Sequence, residues 1–249
     1  MRIAVGGNGL ALAALVLAWP LLASAQDAPD SAPTNAASAA TDSASSETSD
    51  STSPTARPQR ADFLGEVASD DARRVADWVV SSDDNAGMPF VIIDKIRAKV
   101  FVFDRSGQLQ GATMVLLGKA VGDDSAPGVG HEKLSAIPLQ DQTTPAGRFM
   151  AHLAHERNVP FFWVDYENAV SLHRVVGPPS EHRLARLATT STLDKRISHG
   201  CINVPVKFFD DVVLKTFSDT GGIVYILPEV KTVQEVFPAV SDVDVAQGQ

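Results

Sequence analysis

The chain holds one cysteine, Cys201, in 249 residues. No disulfide can form within it, and an exported protein normally uses its cysteines in pairs. A basic surplus is missing too. The net charge is −9, which argues against nucleic acid and against anionic lipid surfaces as partners. No internal repeat is present. Residues 26–60 are almost free of large apolar side chains and rich in Ser, Thr, Ala, Asp and Pro. Such a stretch cannot offset its ordering entropy and reads as a flexible linker. His152 and His155 lack a carboxylate or cysteine at supporting spacing, so no metal is expected, and nothing calls for another cofactor.

What is present divides the chain. Arg2 precedes an apolar run from Leu10 to Leu22, and Ala23-Ser-Ala25 has the small-x-small form of a cleavage site. The run is short for a span of about 20 residues and contains Pro20, so residues 1–25 read as a cleaved signal peptide. Membrane contact is then expected only through the uncleaved signal, and the absence of a following cysteine excludes a lipid anchor there. After the linker, 61–88 is an N-terminal helical segment, with apolar spacing that predicts a helix over 67–80. Residues 89–230 form the main domain, and 231–249 a flexible tail. Strands are expected at 90–94, 99–104, 113–117, 147–153, 160–165, 169–175 and 223–227 from β-branched and aromatic runs between Gly, Pro and Asp clusters. Helices are expected at 181–187 and 205–217. Many short strands with few helices predict a mainly β sandwich or barrel.

Cys201 sits in Ile197-Ser-His-Gly-Cys-Ile-Asn-Val-Pro205. A lone cysteine is often just a small buried hydrophobe. Here the polar and small neighbours predict a turn with available N–H groups, and an unpaired thiol in a turn is a candidate nucleophile once a base removes its proton. His173 closes the alternating segment Ala169-Val-Ser-Leu-His-Arg174, and a strand can aim a base reproducibly. His199 is too close in sequence to be assumed the base. His131 and His182 read as solvated. A helix beginning at Pro205 would bring its positive end near the sulfur, and the N–H groups of Gly200 and Cys201 are candidate oxyanion donors.

Ser198-His-Gly-Cys-Ile-Asn203 resembles the signature of the L,D-transpeptidases, the YkuD-type catalytic domain of bacterial cell-wall enzymes. Thr144-Pro-Ala-Gly-Arg-Phe149 resembles that family's Thr-Pro-x-Gly-x-Phe turn. Ile92-Ile-Asp94 with Lys99-Val-Phe-Val-Phe103 resembles its opening hairpin, and Val170-Ser-Leu-His173 its histidine strand. The resemblance covers roughly residues 89–227. Two departures stand out: Arg174 where the family often has Gly, and an apparent insertion over 178–195, expected to form a lid or rim.

The resemblance implies a β-sandwich-like L,D-transpeptidase catalytic fold in a periplasmic protein. It implies Cys201 as nucleophile and His173 as proton donor and acceptor, with a backbone carbonyl at Arg174 or a neighbour orienting the ring. Ser198, His199, Gly200 and Asn203 are supporting residues, Asn203 bracing the turn. The implied partners are peptidoglycan stem peptides and an amine acceptor, either a second stem or an amine-bearing wall-anchored protein. Water as acceptor would make the chain an L,D-carboxypeptidase or a hydrolase that detaches wall proteins. A non-catalytic wall-binding module is the alternative from another class. Cysteine proteases of the papain type have the reverse order of Cys and His.

Overall fold

The computed structural model describes residues 60–240. The expected signal peptide, the linker up to residue 59 and residues 241–249 lie outside the described residues. The first helix, α1, spans Asp70–Ser82. It begins where Ser69 accepts a hydrogen bond from the Ala72 N–H, and Asp70 and Asp71 suit the positive end of its dipole. Val67, expected inside the helix, precedes the cap and is exposed.

Ten strands follow: β1 Phe90–Asp94, β2 Lys99–Phe103, β3 Leu109–Met114, β4 Leu117–Gly118, β5 Gly147–Glu156, β6 Val159–Asp165, β7 Val170–Arg174, β8 Arg196–Ser198, β9 Ile202–Val204 and β10 Gly222–Ile226. Eight form one sheet in the order β3-β2-β1-β10-β5-β6-β7-β9, and β4 pairs with β8 in a second, two-stranded sheet. The helical pieces are short: α2 Arg183–Ala188, then α3 Val206–Phe208, a π-helical turn Phe209–Val213 and α4 Leu214–Phe217 in one continuous run, and finally α5 Val233–Val236. None of the helices among the described residues is long and apolar enough to cross a membrane. The fold is mainly β with a few short helices, as the strand-rich sequence predicts.

Two cores explain the strands that are buried on both faces. Successive strand residues face opposite sides, and in β1 all five residues are buried. Phe90 and Ile92 enter a core with Val75 and Val79 of α1. Val91 and Ile93 enter another with Phe162 and Val164 of β6, Leu172 of β7, Ile202 of β9, and Phe209 and Phe217 of the run after it. Strands from both halves of the sheet order share this second core, which gives the sheet its sandwich-like character.

The end of the described chain corrects the expectation of a loose tail from 231. Thr232 and Glu235 form a reciprocal capping box at the start of α5. Val233, Phe237 and Val240 are buried in the α1 core, where Phe237 meets Trp78 and Tyr225. Together with Val236 they follow helical spacing, and they are buried because α1 and β10 leave an apolar surface for them.

Candidate functional site

The site forms where β7 and β9 lie side by side. Alternation along β7 sends Val170 and Leu172 into the core and leaves Ser171 and His173 on the other face. The parallel register then sets His173 beside Asn203. Cys201 immediately precedes β9, half-buried. Its Sγ lies 3.6 Å from the Ser171 hydroxyl and 3.7 Å from the Ala169 carbonyl oxygen. Burial pushes the thiol up, but hydrogen bonding and charge from His173, together with hydrogen bonds from Ser171, outweigh it. The net result is a thiol that titrates below its ordinary range.

The imidazole is held at both nitrogens. Nδ1 lies 2.7 Å from the Arg174 carbonyl oxygen. A carbonyl can only accept, so Nδ1 carries a proton, and in the neutral ring Nε2 presents its lone pair. The side chain of Arg174 turns away. It pairs with Asp210 on the π-helical turn, donates to the Pro160 carbonyl at 3.1 Å and lies over the Phe209 ring. A large residue is therefore accommodated next to the histidine, because only its carbonyl is used there.

The loop that carries the thiol is braced from three directions. Ser198 Oγ donates to the Cys201 carbonyl at 2.6 Å and accepts from the Gly200 N–H at 3.1 Å. Thr144 Oγ1, fully buried, donates to the Gly200 carbonyl at 2.8 Å and accepts from the Gly118 N–H at 2.9 Å. The Thr-Pro turn of the sequence is thus a strut for the cysteine loop. Gly200 has φ +132°, and a Cβ there would come within 2.8 Å of the Thr143 carbonyl oxygen, so no side chain fits.

Two expectations change. The Gly200 N–H is spent on Ser198, so of the two N–H groups expected as oxyanion donors it is not available. The helix after the cysteine does begin at Val206, yet β9 intervenes. Three strand residues at about 3.3 Å each carry the helix start roughly 10 Å along the chain, beyond the reach of its dipole, which fades within the first turn. A stretch read as turn is a short buried strand, because Ile202 and Val204 fill the core while Asn203 faces the site.

Asn203, expected to brace the turn, does more. It is fully buried, and its Nδ2 lies 3.1 Å from His173 Nε2. Its Oδ1 accepts from Arg183 of α2, inside the segment read as an insertion. That segment folds onto the site. Arg183 pairs with Glu181 at 2.5 Å, Arg186 donates to the Glu181 and Asp194 carbonyls at 2.8 Å, and the buried Lys195 ammonium donates to the Thr189 carbonyl. His199 is half-buried. Burial, then the charges of Lys119 and Arg183, hold its imidazole below the usual range.

Ser171 and Arg183 were not singled out by the sequence. Ser171 was findable, two residues before the histidine on the same strand face. Arg183 was not, because only the folded segment brings it there. Beside His173 runs a cleft of about 470 Å³, lined by Phe161, Trp163, Ser171, Arg174, Glu156 and Arg157 among others. A second, of about 420 Å³, lies between the end of β7 and α2 and includes Arg183 and Val206. His152 and His155 both lie on β5, three residues apart, and so face opposite sides. No group of three or more His, Cys, Asp or Glu side chains among the described residues gathers as metal ligands do.

No family model matches this chain, and no curated protein does. Similar solved structures exist. One is the helical cell shape determining protein Pgp2 of Campylobacter jejuni (13% identical, TM-score 0.39, covering 72% of this chain and 65% of that one). Another is an L,D-transpeptidase from Xylanimonas cellulosilytica (14%, TM-score 0.34, 56% and 60%). A third is a mutant L,D-transpeptidase from Enterococcus faecium (15%, TM-score 0.32, 56% and 50%). The chain spans between half and two thirds of the length of each.

Proposed function

We propose that this chain is an exported, periplasmic L,D-transpeptidase that acts on peptidoglycan stem peptides through a thioester on Cys201. The observation that carries the reading is the shared register of β7 and β9, which puts a hydrogen-bonded thiol, an imidazole of fixed tautomer and an orienting carbonyl on one face. His173 Nε2 takes the thiol proton as Sγ bonds to the carbonyl carbon of the penultimate residue of a tetrapeptide stem. The C–N bond to the terminal D-Ala breaks, and its amine leaves with the proton from His173. An acceptor amine then attacks the thioester, the new amide forms, and the thiol recovers its proton. General acid–base action of this kind is worth about 10²–10⁴-fold. Ser171 supports the thiolate, and the Cys201 N–H serves the oxyanion, since Ser198 takes that of Gly200.

The first test is intact-mass analysis after incubation with tetrapeptide muropeptides. Wild-type protein is expected to gain one acyl mass and release D-Ala, and Cys201→Ala to gain nothing. No adduct on the wild type, or an equal one on Cys201→Ala, sinks the proposal. D-Ala release without any cross-linked or protein-linked product reassigns the same site to an L,D-carboxypeptidase or a wall-protein-detaching hydrolase.

A further inference from the structure

The structure assigns Arg183 a role as a positioning residue: it orients the Asn203 amide so that its N–H faces His173 Nε2 while the 178–195 segment is folded over the site. This rests on the Cys201–His173 reading above and adds a residue from outside the motif.

The assignment follows from what each group can do. A guanidinium only donates. Its partner on Asn203 is therefore the carbonyl Oδ1, and the amide nitrogen must point the other way, toward Nε2 at 3.1 Å. On the far side of the ring, the Arg174 carbonyl fixes the proton on Nδ1. Nε2 then accepts from Asn203, a bond compatible only with the neutral ring. Once Nε2 takes the thiol proton, two donors face each other, and the amide must turn to offer Oδ1 instead. Turning it costs the bond to Arg183. Because Arg183 is itself tied to Glu181 and the segment's internal bonds, movement of this segment and proton uptake by His173 are linked.

The charged and titratable groups around the ring fit this picture. They are Cys201 on the loop, Arg174 with Asp210 of the π-helical turn, Arg183 with Glu181 of the rim segment, and Glu156 and Arg157 across the cleft. Lys119 and His199 act electrostatically on Glu181. Among these, Arg183 alone reaches the ring through a hydrogen-bonded amide whose orientation it dictates.

The experiment needs no peptidoglycan. The single thiol is alkylated with iodoacetamide from pH 4 to 10 in the full chain, and the rate is followed by mass. In Arg183→Ala the amide is free to turn and accept from a protonated Nε2, which favours thiolate paired with imidazolium. The acid limb of the profile is expected to move to lower pH by roughly one unit, the scale of one hydrogen bond. Arg183→Lys, which still donates to Oδ1, is expected to restore the wild-type position. An Arg183→Ala profile that superimposes on the wild type overturns the assignment. If Arg183→Ala fails to fold by thermal melting, Asn203→Asp replaces it. Its carboxylate keeps the Arg183 bond but offers no N–H to His173, so a shift to lower pH supports the assignment and no shift overturns it. His173→Ala separates the two readings: if that change leaves the wild-type profile unmoved, the Cys201–His173 pair itself is wrong.

Discussion

The reactivity of Cys201 depends on a few short contacts whose loss has a definite sign. Burial alone would leave the thiol above its usual range, and His173 and Ser171 reverse that. Ser171→Ala removes a donor 3.6 Å from the sulfur. Its thiol alkylation profile is expected to move to higher pH by about half a unit, under 1 kcal/mol. A shift to lower pH would mean that the hydroxyl competes for the sulfur rather than supporting the thiolate. Gly200 offers a second residue-scale test. Gly200→Ala meets both a left-handed φ and the Thr143 carbonyl. A loss of about 1–3 kcal/mol in urea unfolding is expected, with slower alkylation of Cys201 as its loop is displaced. Unchanged stability and rate together would show that the loop tolerates a Cβ after all. His173 and Cys201 were legible in the sequence because the alternation of the strand and an unpaired thiol in a polar turn are local signals. The amide of Asn203 was legible only as a brace, since its contact with His173 exists only once β7 and β9 pair.

At the scale of elements, the site is held by struts that cross the fold. Thr144 carries the Thr-Pro turn to the cysteine loop, and its carbonyl accepts from the fully buried Lys95 ammonium at 2.8 Å. Lys95 also meets Asp123 at 2.7 Å. Burial would raise the Asp123 carboxyl, yet the Lys231 N–H, the Lys95 ammonium and the N–H groups of Glu229 and Val230 outweigh it and hold it at about 2. Its folded value is below the ordinary one, so its stabilisation is present above about pH 4 and is lost as pH falls through 2. Asp123→Asn removes the nearer of the two carboxylates at Lys95 and leaves Glu229 at 3.5 Å, and a loss of about 3 kcal/mol is expected at pH 7. Urea midpoints of variant and wild type should converge toward pH 2, and a gap that stayed constant across that range would refute the ion-pair account. None of this was visible in the acidic loop around Asp123, because its partners lie in the turn after β1 and on the stretch after β10.

The described fold is closed by residues 231–240. They carry Phe237 onto Trp78 and Tyr225, joining the last described turn to α1 and β10. Phe237→Ala is expected to cost about 3–5 kcal/mol, read as a lower thermal midpoint with no change in the pH profile of Cys201, whose loop adjoins Ile202 of the other core. A Phe237→Ala variant as stable as the wild type would restore the view of this stretch as loose. Val233, Val236, Phe237 and Val240 follow the i, i+3, i+4, i+7 spacing of an apolar helix face, but their burial depends on a surface made elsewhere.

Sequence alone determined the strand-rich class, the position of most strands and the two residues in which nucleophile and base are proposed. These rest on alternation, turn chemistry and a single thiol, all readable within a few neighbours. Tertiary structure decided the strand between Cys201 and the helix, the use of Ser198 and Thr144 as braces, and the reach of Arg183 through Asn203 to His173. The Ser198 bonds are local, but those of Thr144, Arg183 and Asn203 join residues 20 to 56 positions apart, and a separation of that kind acquires meaning only when the chain has folded and the strand register has chosen which side chains meet.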